Sequence, residues 1–182
     1  DERDIARIAA GGAAISHNPQ SNMKLASGIA PVPEFLAAGI TVGLGTDGCA
    51  SNNDLDLLHE MDTAAKLHKV RSGDPTACAA RTVIEMATIR GTEAIGLGAV
   101  SGSLEIGKAA DITVLATDAP HLVPIYHPAS HLVYAARGDD VREVLVAGRH
   151  LVANGRLQSL DVGEIRREVT AIARKIRPST GR

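Results

Sequence analysis

The chain reads as an α/β protein whose later part turns β-rich, and three observations predict this. Short glycine-bounded apolar runs alternate with helical periodicities as far as Gly98, and the pattern then changes to strands separated by prolines and tight turns. The end is one clean amphipathic helix.

Asp4 to Ala10 carries Ile5, Ile8 and Ala9 at helical spacing, and Gly11-Gly12 stops this helix before the apolar run Ala13-Ala14-Ile15. His17-Asn18-Pro19 ends that strand, a polar loop runs to Gly28, and Pro33 to Ala38 forms a short helix closed by Gly39. The next strand is Ile40 to Leu44. A strand, loop, helix and parallel strand make a βαβ unit, whose ligand-binding groups sit at the carboxyl ends of its strands. His17 and Asp47 would share that rim.

Asp54 to Val70 reads as a long helix with Leu55, Leu58, Met61 and Ala65 along one face and His68 as a candidate for it. His59 and His68 lie on it near Glu60 and Asp62, but they lack the i, i+4 spacing of a helical metal pair and read as a solvated face. Asp74-Pro75 supplies a cap and first-turn proline for a helix through Ala87; Thr88 to Ile95 continues helical until Gly96 and Gly98.

Beyond Gly102, Asp111 to Leu115 is a strand, followed by a loop punctuated by Pro120, Pro124 and Pro128. Val141 to Val146 and His150 to Ala153 flank Ala147-Gly148-Arg149 as a hairpin, and Asn154-Gly155 marks the next turn, which predicts a small sheet or sandwich. In the last helix Asp161 and Glu164 fit a capping box, Ile165, Val169, Ile172 and Ile176 share a face fit for packing, and Pro178 forbids extension. His121, His127 and His131 are irregularly spaced with no carboxylate nearby, and read as scattered surface residues.

Composition narrows the function classes. With 45% apolar and 22% charged residues in 182, the chain is an ordinary globular protein, and a net charge of −2 offers no basic face for nucleic acid and no polybasic membrane anchor. No apolar run approaches the roughly 20 residues of a membrane helix, and Asp1-Glu2-Arg3-Asp4 does not open a signal peptide, so the expected setting is the cytoplasm. Cys49 and Cys78 form no CxxC motif, which leaves a thiolate zinc site or disulfide framework unsupported. A chain opening on Asp1 reads as a piece of something longer.

The chemistry concentrates in Thr41-Val42-Gly43-Leu44-Gly45-Thr46-Asp47-Gly48 and the following Ser51-Asn52-Asn53-Asp54-Leu55-Asp56. A carboxylate at the end of a buried strand is costly without a partner, so Asp47 faces either a metal ion or a substrate. The bland alternative is a turn cap that accepts backbone hydrogen bonds.

These runs, together with Ser16-His17-Asn18-Pro19-Gln20-Ser21-Asn22-Met23-Lys24-Leu25-Ala26-Ser27-Gly28 and Gly102-Ser103-Leu104-Glu105-Ile106-Gly107-Lys108-Ala109-Ala110-Asp111, resemble the amidohydrolase superfamily. The similarity is greatest to its 5′-methylthioadenosine/S-adenosylhomocysteine deaminases and its triazine and chlorohydrolase branch. The resemblance implies a (β/α)8 TIM barrel with a metal at the carboxyl ends of its strands and a small β-sandwich domain. A whole barrel takes about 250 residues. The chain would therefore hold only the carboxyl-terminal part: residues 1–98 as the last barrel strands and helices, 99–160 as part of the β-rich domain, 161–182 as helix and tail.

By the same resemblance Asp47 binds a divalent metal, zinc first with iron, manganese or nickel as alternatives, touches the substrate, and moves a proton from water to departing ammonia. His17 and Asn22 match motif positions near the substrate pocket. The other metal ligands would lie upstream, on a missing amino-terminal barrel segment. The implied substrate is a small molecule, S-adenosylhomocysteine, 5′-methylthioadenosine or adenosine, with a triazine, guanine or other aminated ring as the alternative. A catalytically silent fragment or interaction module is the rival for the chain alone, and a homo-oligomer stays open. No nucleic-acid or membrane partner is expected.

Overall fold

The computed structural model describes residues 1–176, so the expected stop at Pro178 lies outside the described residues. The Asp1 carboxylate caps α1 (Glu2–Ala10) by accepting from the backbone N–H groups of Arg3 and Asp4. There follow β1 (Ile15–His17), α2 (Pro19–Lys24), α3 (Val32–Ala37) and β2 (Val42–Leu44). β1 and β2 pair in parallel, with Ile15 opposite Val42 and His17 opposite Leu44. The βαβ unit is present, and His17 ends its strand rather than following it.

The polar segment after His17 is helical, not a loop. Pro19 holds the first-turn position, where its fixed φ suits the helix and its missing N–H is no loss. Six residues are too few to show an apolar period.

Asp56 caps α4 (Leu57–Ser72), accepting from Leu58 N–H at 2.9 Å, and Gly73 ends it in the left-handed conformation at φ 67°. Next come α5 (Ala80–Ala87) and α6 (Ile89–Ala94). α5 begins later than Asp74-Pro75 suggests, because Cys78 takes φ 42°, which no helix interior accommodates; Asp74 instead caps a turn through Thr76 N–H at 2.7 Å. α6 crosses β2 closely: a Cβ on Gly43 would stand 2.9 Å from the Gly91 Cα. Around β2, the side chains of Val32, Phe35, Ile40, Val42, Met61, Ala64, Ala65, Val83 and Met86 form the core.

The β-rich part is a four-stranded antiparallel sheet. Its strands β3 (Ile112–Leu115), β4 (Val141–Val146), β5 (Arg149–Ala153) and β6 (Arg156–Leu157) are ordered as in the sequence. Ala147-Gly148 and Asn154-Gly155 turn its two hairpins with φ positive at both positions, as tight right-twisting hairpins require.

The proline-punctuated connection between β3 and β4 contains α7 (Pro128–Tyr134), started by Pro128 and capped by His127, whose Nδ1 accepts from Ser130 N–H. α7 buries Val133 in the core beside α4 and α5. His127 is therefore a cap. His121 stands 2.9 Å from the Asp140 carboxylate, which corrects the expectation of no neighbouring acid.

Asp161 accepts from Glu164 N–H at 3.0 Å at the start of α8 (Val162–Ile176). None of its residues is buried. Its apolar face, expected to pack, is uncovered by the described residues, with Ile165 at 41% and Ile176 at 71% exposure.

Candidate active site

β1 and β2 end side by side, and Gly45 N–H donates to His17 O at 2.9 Å, which carries the parallel pairing one residue further. A Cβ at position 45 would meet Asn18 Oδ1 at 2.5 Å and Ser16 Oγ at 3.0 Å, so any other residue there would have to turn these side chains aside. Two residues on, Asp47 has φ 60°, a left-handed conformation that aspartate tolerates better than most side chains. Held backbone strain of this kind clusters at functional positions.

Asp47 is exposed, which corrects the expectation of a carboxylate buried at the strand end. Its Oδ2 accepts from Ser51 Oγ at 2.6 Å and from Ser21 Oγ at 2.7 Å. Ser51 Oγ also lies 3.1 Å from Gly48 O, but its single proton favours the charged carboxylate. The Ser51 hydroxyl first, and the Ser21 hydroxyl second, hold the Asp47 carboxyl below its ordinary range. Both hydroxyls converge on one oxygen, and Oδ1 receives no side-chain hydrogen bond among the described residues.

The two serines sit on segments that share an anchor. Glu60 on α4 is fully buried, its Oε2 accepting from Gln20 N–H at 3.2 Å and its Oε1 from Asn52 Nδ2. Burial pushes its carboxyl up, against the pull of the Gln20 and Asn52 donors. Glu60 is thus interior, not part of a solvated face.

His68 corrects the same expectation. It is buried on α4, and its Nε2 lies 3.0 Å from His17 Nε2. One ring donates and the other accepts, so the accepting ring at least is neutral in this contact. Burial lowers each to about 4, helped for His17 by His68 and for His68 by Arg71. The Nδ1 atoms of both rings are buried without a hydrogen-bond partner among the described residues.

His17, 2% exposed, is therefore committed to α4, and no hydrogen bond joins its side chain to Asp47. Asn22 stands on α2 next to Ser21, half-buried, with no side-chain hydrogen bond among the described residues. Asp47 lines neither of two cavities, one of about 540 Å³ beside Asp56, His59, His121 and Arg137, the other of about 600 Å³ between α4, α5 and the sheet.

Ser21, Ser51 and Asn52 lie inside the motifs quoted from the sequence without a role of their own there, and Glu60 was not singled out. A signal for one existed: Glu60, Ala64 and His68 follow at i, i+4 and i+8, adjoining Met61 and Ala65 on the inner stripe of α4. No comparable period marks the serines.

Among the described residues no three His, Cys, Asp or Glu side chains come together to hold an ion. A zinc ion takes about four ligands, so Asp47, with Oδ1 free and Oδ2 tied back, fits one corner of such a site and not a complete one.

Known proteins resemble the chain along nearly its whole length. The model of the amidohydrolase family matches residues 1–151. The chain is 54% identical, over 98% of its length, to a 5-methylthioadenosine/S-adenosylhomocysteine deaminase of Syntrophobacter fumaroxidans, and spans 41% of that protein. Its structure resembles that of a zinc-bound adenosine deaminase from Xanthomonas campestris, with TM-score 0.95 and 38% identity, over 97% of this chain and 40% of that one. It also resembles a zinc complex of the atrazine chlorohydrolase from Arthrobacter aurescens, with TM-score 0.88 and 34% identity, over 94% of this chain and 38% of that one. The chain thus spans about two fifths of the length of the relatives it matches.

Proposed function

Since the chain belongs to the amidohydrolase family, we propose that it is the carboxyl-terminal portion of a metal-dependent aminohydrolase that deaminates an adenosine-like nucleoside. The observation that carries this reading is Asp47, held at the carboxyl end of a parallel strand pair by Ser21 and Ser51 with Oδ1 left open. The names of relatives at about half identity support S-adenosylhomocysteine or 5′-methylthioadenosine as the substrate, and the adenosine deaminase among the similar structures supports adenosine. The parallel pair fits the last strands of a (β/α)8 barrel, residues 99–160 part of its small β-rich domain.

Asp47 would hold a divalent ion, zinc by analogy with the zinc-bound neighbours, through Oδ1. When bound, the ion supplies Lewis acidity that makes water a nucleophile near neutral pH. Asp47 stays ionised under its two hydroxyl donors, which suits it as a ligand and leaves it a weak base by itself. At the reacting centre its carboxylate takes the proton of the attacking water and returns it to the departing amine nitrogen. Water adds at purine C6, ammonia leaves, and the 6-oxo base results. Asn22, whose amide has no side-chain hydrogen bond among the described residues, is a substrate-side residue in this reading, whereas His17, buried against His68, would serve that side only indirectly. The remaining metal ligands would come from the part of the protein that this chain does not span. Two free cysteines fit a cytoplasmic setting.

The likeness to an atrazine chlorohydrolase keeps an aminated or halogenated triazine as the second substrate reading. Because this reading assigns one metal ligand, Asp47, among the described residues, these 182 residues alone would be a silent module.

Metal analysis and an ammonia-release assay with the three nucleosides, on the full-length protein and on this chain, test the proposal. Zinc uptake and nucleoside turnover by the full-length protein, with neither in the chain alone, are expected. A full-length protein that binds zinc and spares every purine nucleoside overturns the substrate class. In the full-length protein Asp47→Ala should abolish turnover while the metal-free protein keeps its melting temperature; near-normal turnover removes Asp47 from the chemistry.

A further inference from the structure

Glu60 is a buried anion whose two oxygens reach different segments of the chain. Oε2 accepts from Gln20 N–H, one of the orphan donors at the start of α2, and Oε1 accepts from the Asn52 side-chain amide. The orientation of that amide is fixed, because Asn52 Oδ1 is already taken by the backbone N–H groups of Asp54 and Leu55 at 3.2 and 2.8 Å. The residues bonded in sequence to these two partners are Ser21 and Ser51, whose hydroxyls converge on Asp47 Oδ2.

We infer that Glu60 is the positioning residue of the Asp47 site: one buried carboxylate sets both serine-bearing segments, and through them the orientation of the exposed carboxylate. The inference rests on the proposed reading of Asp47 as a metal ligand. Glu60 touches neither Asp47 nor, in that reading, the ion or the substrate.

Geometry and chemistry both favour this role over one in stability alone. A buried carboxylate is a costly way to join two helices, and an apolar or neutral side chain of similar size would serve at least as well. What an apolar residue cannot do is accept from two donors at once. Both partners of Glu60 are donors, so both of its oxygens must be acceptors. The result is a three-tier arrangement, from Glu60 to Gln20 and Asn52, to Ser21 and Ser51, to Asp47. An aspartate on a left-handed, solvent-exposed loop has few contacts of its own to fix it, and these two hydroxyls supply its orientation from the core.

The test uses the full-length protein and reads zinc affinity by competition with a chelator, alongside kcat, KM and melting temperature. Glu60→Gln keeps shape but sets an amide donor against one of the two donors. Zinc affinity and kcat are expected to fall by about 10- to 100-fold, the range for groups that orient metal ligands, with KM changed by no more than a few-fold. Asn52→Asp sets carboxylate against carboxylate at the same link while leaving the loop's own hydrogen bonds in place, and it should lose affinity in the same way.

The double variant Glu60→Gln/Asn52→Asp exchanges donor and acceptor across the link and should recover most of both losses. If Glu60→Gln does not fold, Asn52→Asp and its recovery in the double variant carry the test. Zinc affinity within about twofold of wild type in the single variants, or no recovery in the exchange, overturns the inference whatever happens to the melting temperature. Because zinc affinity is read without substrate, a wild-type protein that binds zinc but deaminates nothing refutes the nucleoside reading and leaves this test intact. A wild-type protein that takes up no zinc overturns both.

Discussion

The inner face of α4 and the apolar face of α8 are both regular stripes, yet they end in opposite environments. Met61, Ala64 and Ala65 are at most 5% exposed, whereas Ile165, Val169, Ile172 and Ile176 are between 41 and 71% exposed. The stripes also differ in content. α4 carries two ionisable groups, Glu60 and His68, among its buried side chains, and the stripe of α8 is wholly aliphatic. A periodic pattern therefore identifies a face, and the rest of the fold decides whether that face is covered. Polar groups on a covered face must be satisfied internally, and on α4 they are the groups that tie the helix to β1, to α2 and to the Asp47 loop.

The largest test of this contrast is acid. In the unfolded chain His17 and His68 titrate near 6.5, whereas in the fold burial lowers both to about 4. Between those values the unfolded chain takes up protons that the folded chain refuses. Stability present above about pH 6.5 is therefore lost as the pH falls toward 4, at up to roughly 1.4 kcal/mol per pH unit for each imidazole. Glu60, whose carboxyl is raised, works in the opposite direction at the lower end of the window. Urea denaturation at pH 7.5 and 5.0 should show a clear drop in ΔG. A flat profile across that window breaks the assignment of His17 and His68 as a buried neutral pair.

Next in size is the loss of bulk from the covered face. Met61→Ala should destabilise the chain by about 2–4 kcal/mol, from transfer of the side chain out of the core and the cavity left beside Ala64 and Ala65. A shift in urea midpoint with an unchanged m-value is the expected form. A loss below about 1 kcal/mol means that α4 is not held against the sheet as described.

Much of this architecture was legible in the sequence, and the failures have local causes. The βαβ unit, both hairpin turns and the apolar faces of α4 and α8 followed from period and turn chemistry, as Ala147-Gly148 and Asn154-Gly155 illustrate, except that Leu55, counted on the α4 face, precedes the helix and is 44% exposed. α2 and α7 were hidden because prolines that read as loop punctuation instead start short helices at Pro19 and Pro128. Asp47 was found from its strand and turn, but its supports were not: Ser21 lies 26 residues away in sequence, and such a contact exists only once the strands are paired. Glu60 and His68 were misread because charged and imidazole side chains on a helix are usually solvated. Their spacing with Met61 and Ala65 argued otherwise.

The smallest expected effect falls on α8, where the same kind of truncation should do almost nothing. Ile172 is 54% exposed, so Ile172→Ala removes little buried area and leaves no cavity. Alanine is also the better helix former by a few tenths of a kcal/mol, which offsets the apolar contact that is lost. The change in ΔG of unfolding for the 182-residue chain should stay within about 0.5 kcal/mol of zero. The informative quantity is the difference between this value and that for Met61→Ala under one set of conditions. If Ile172→Ala costs as much as Met61→Ala, the stripe of α8 is covered in solution, and the contrast between the two helices fails.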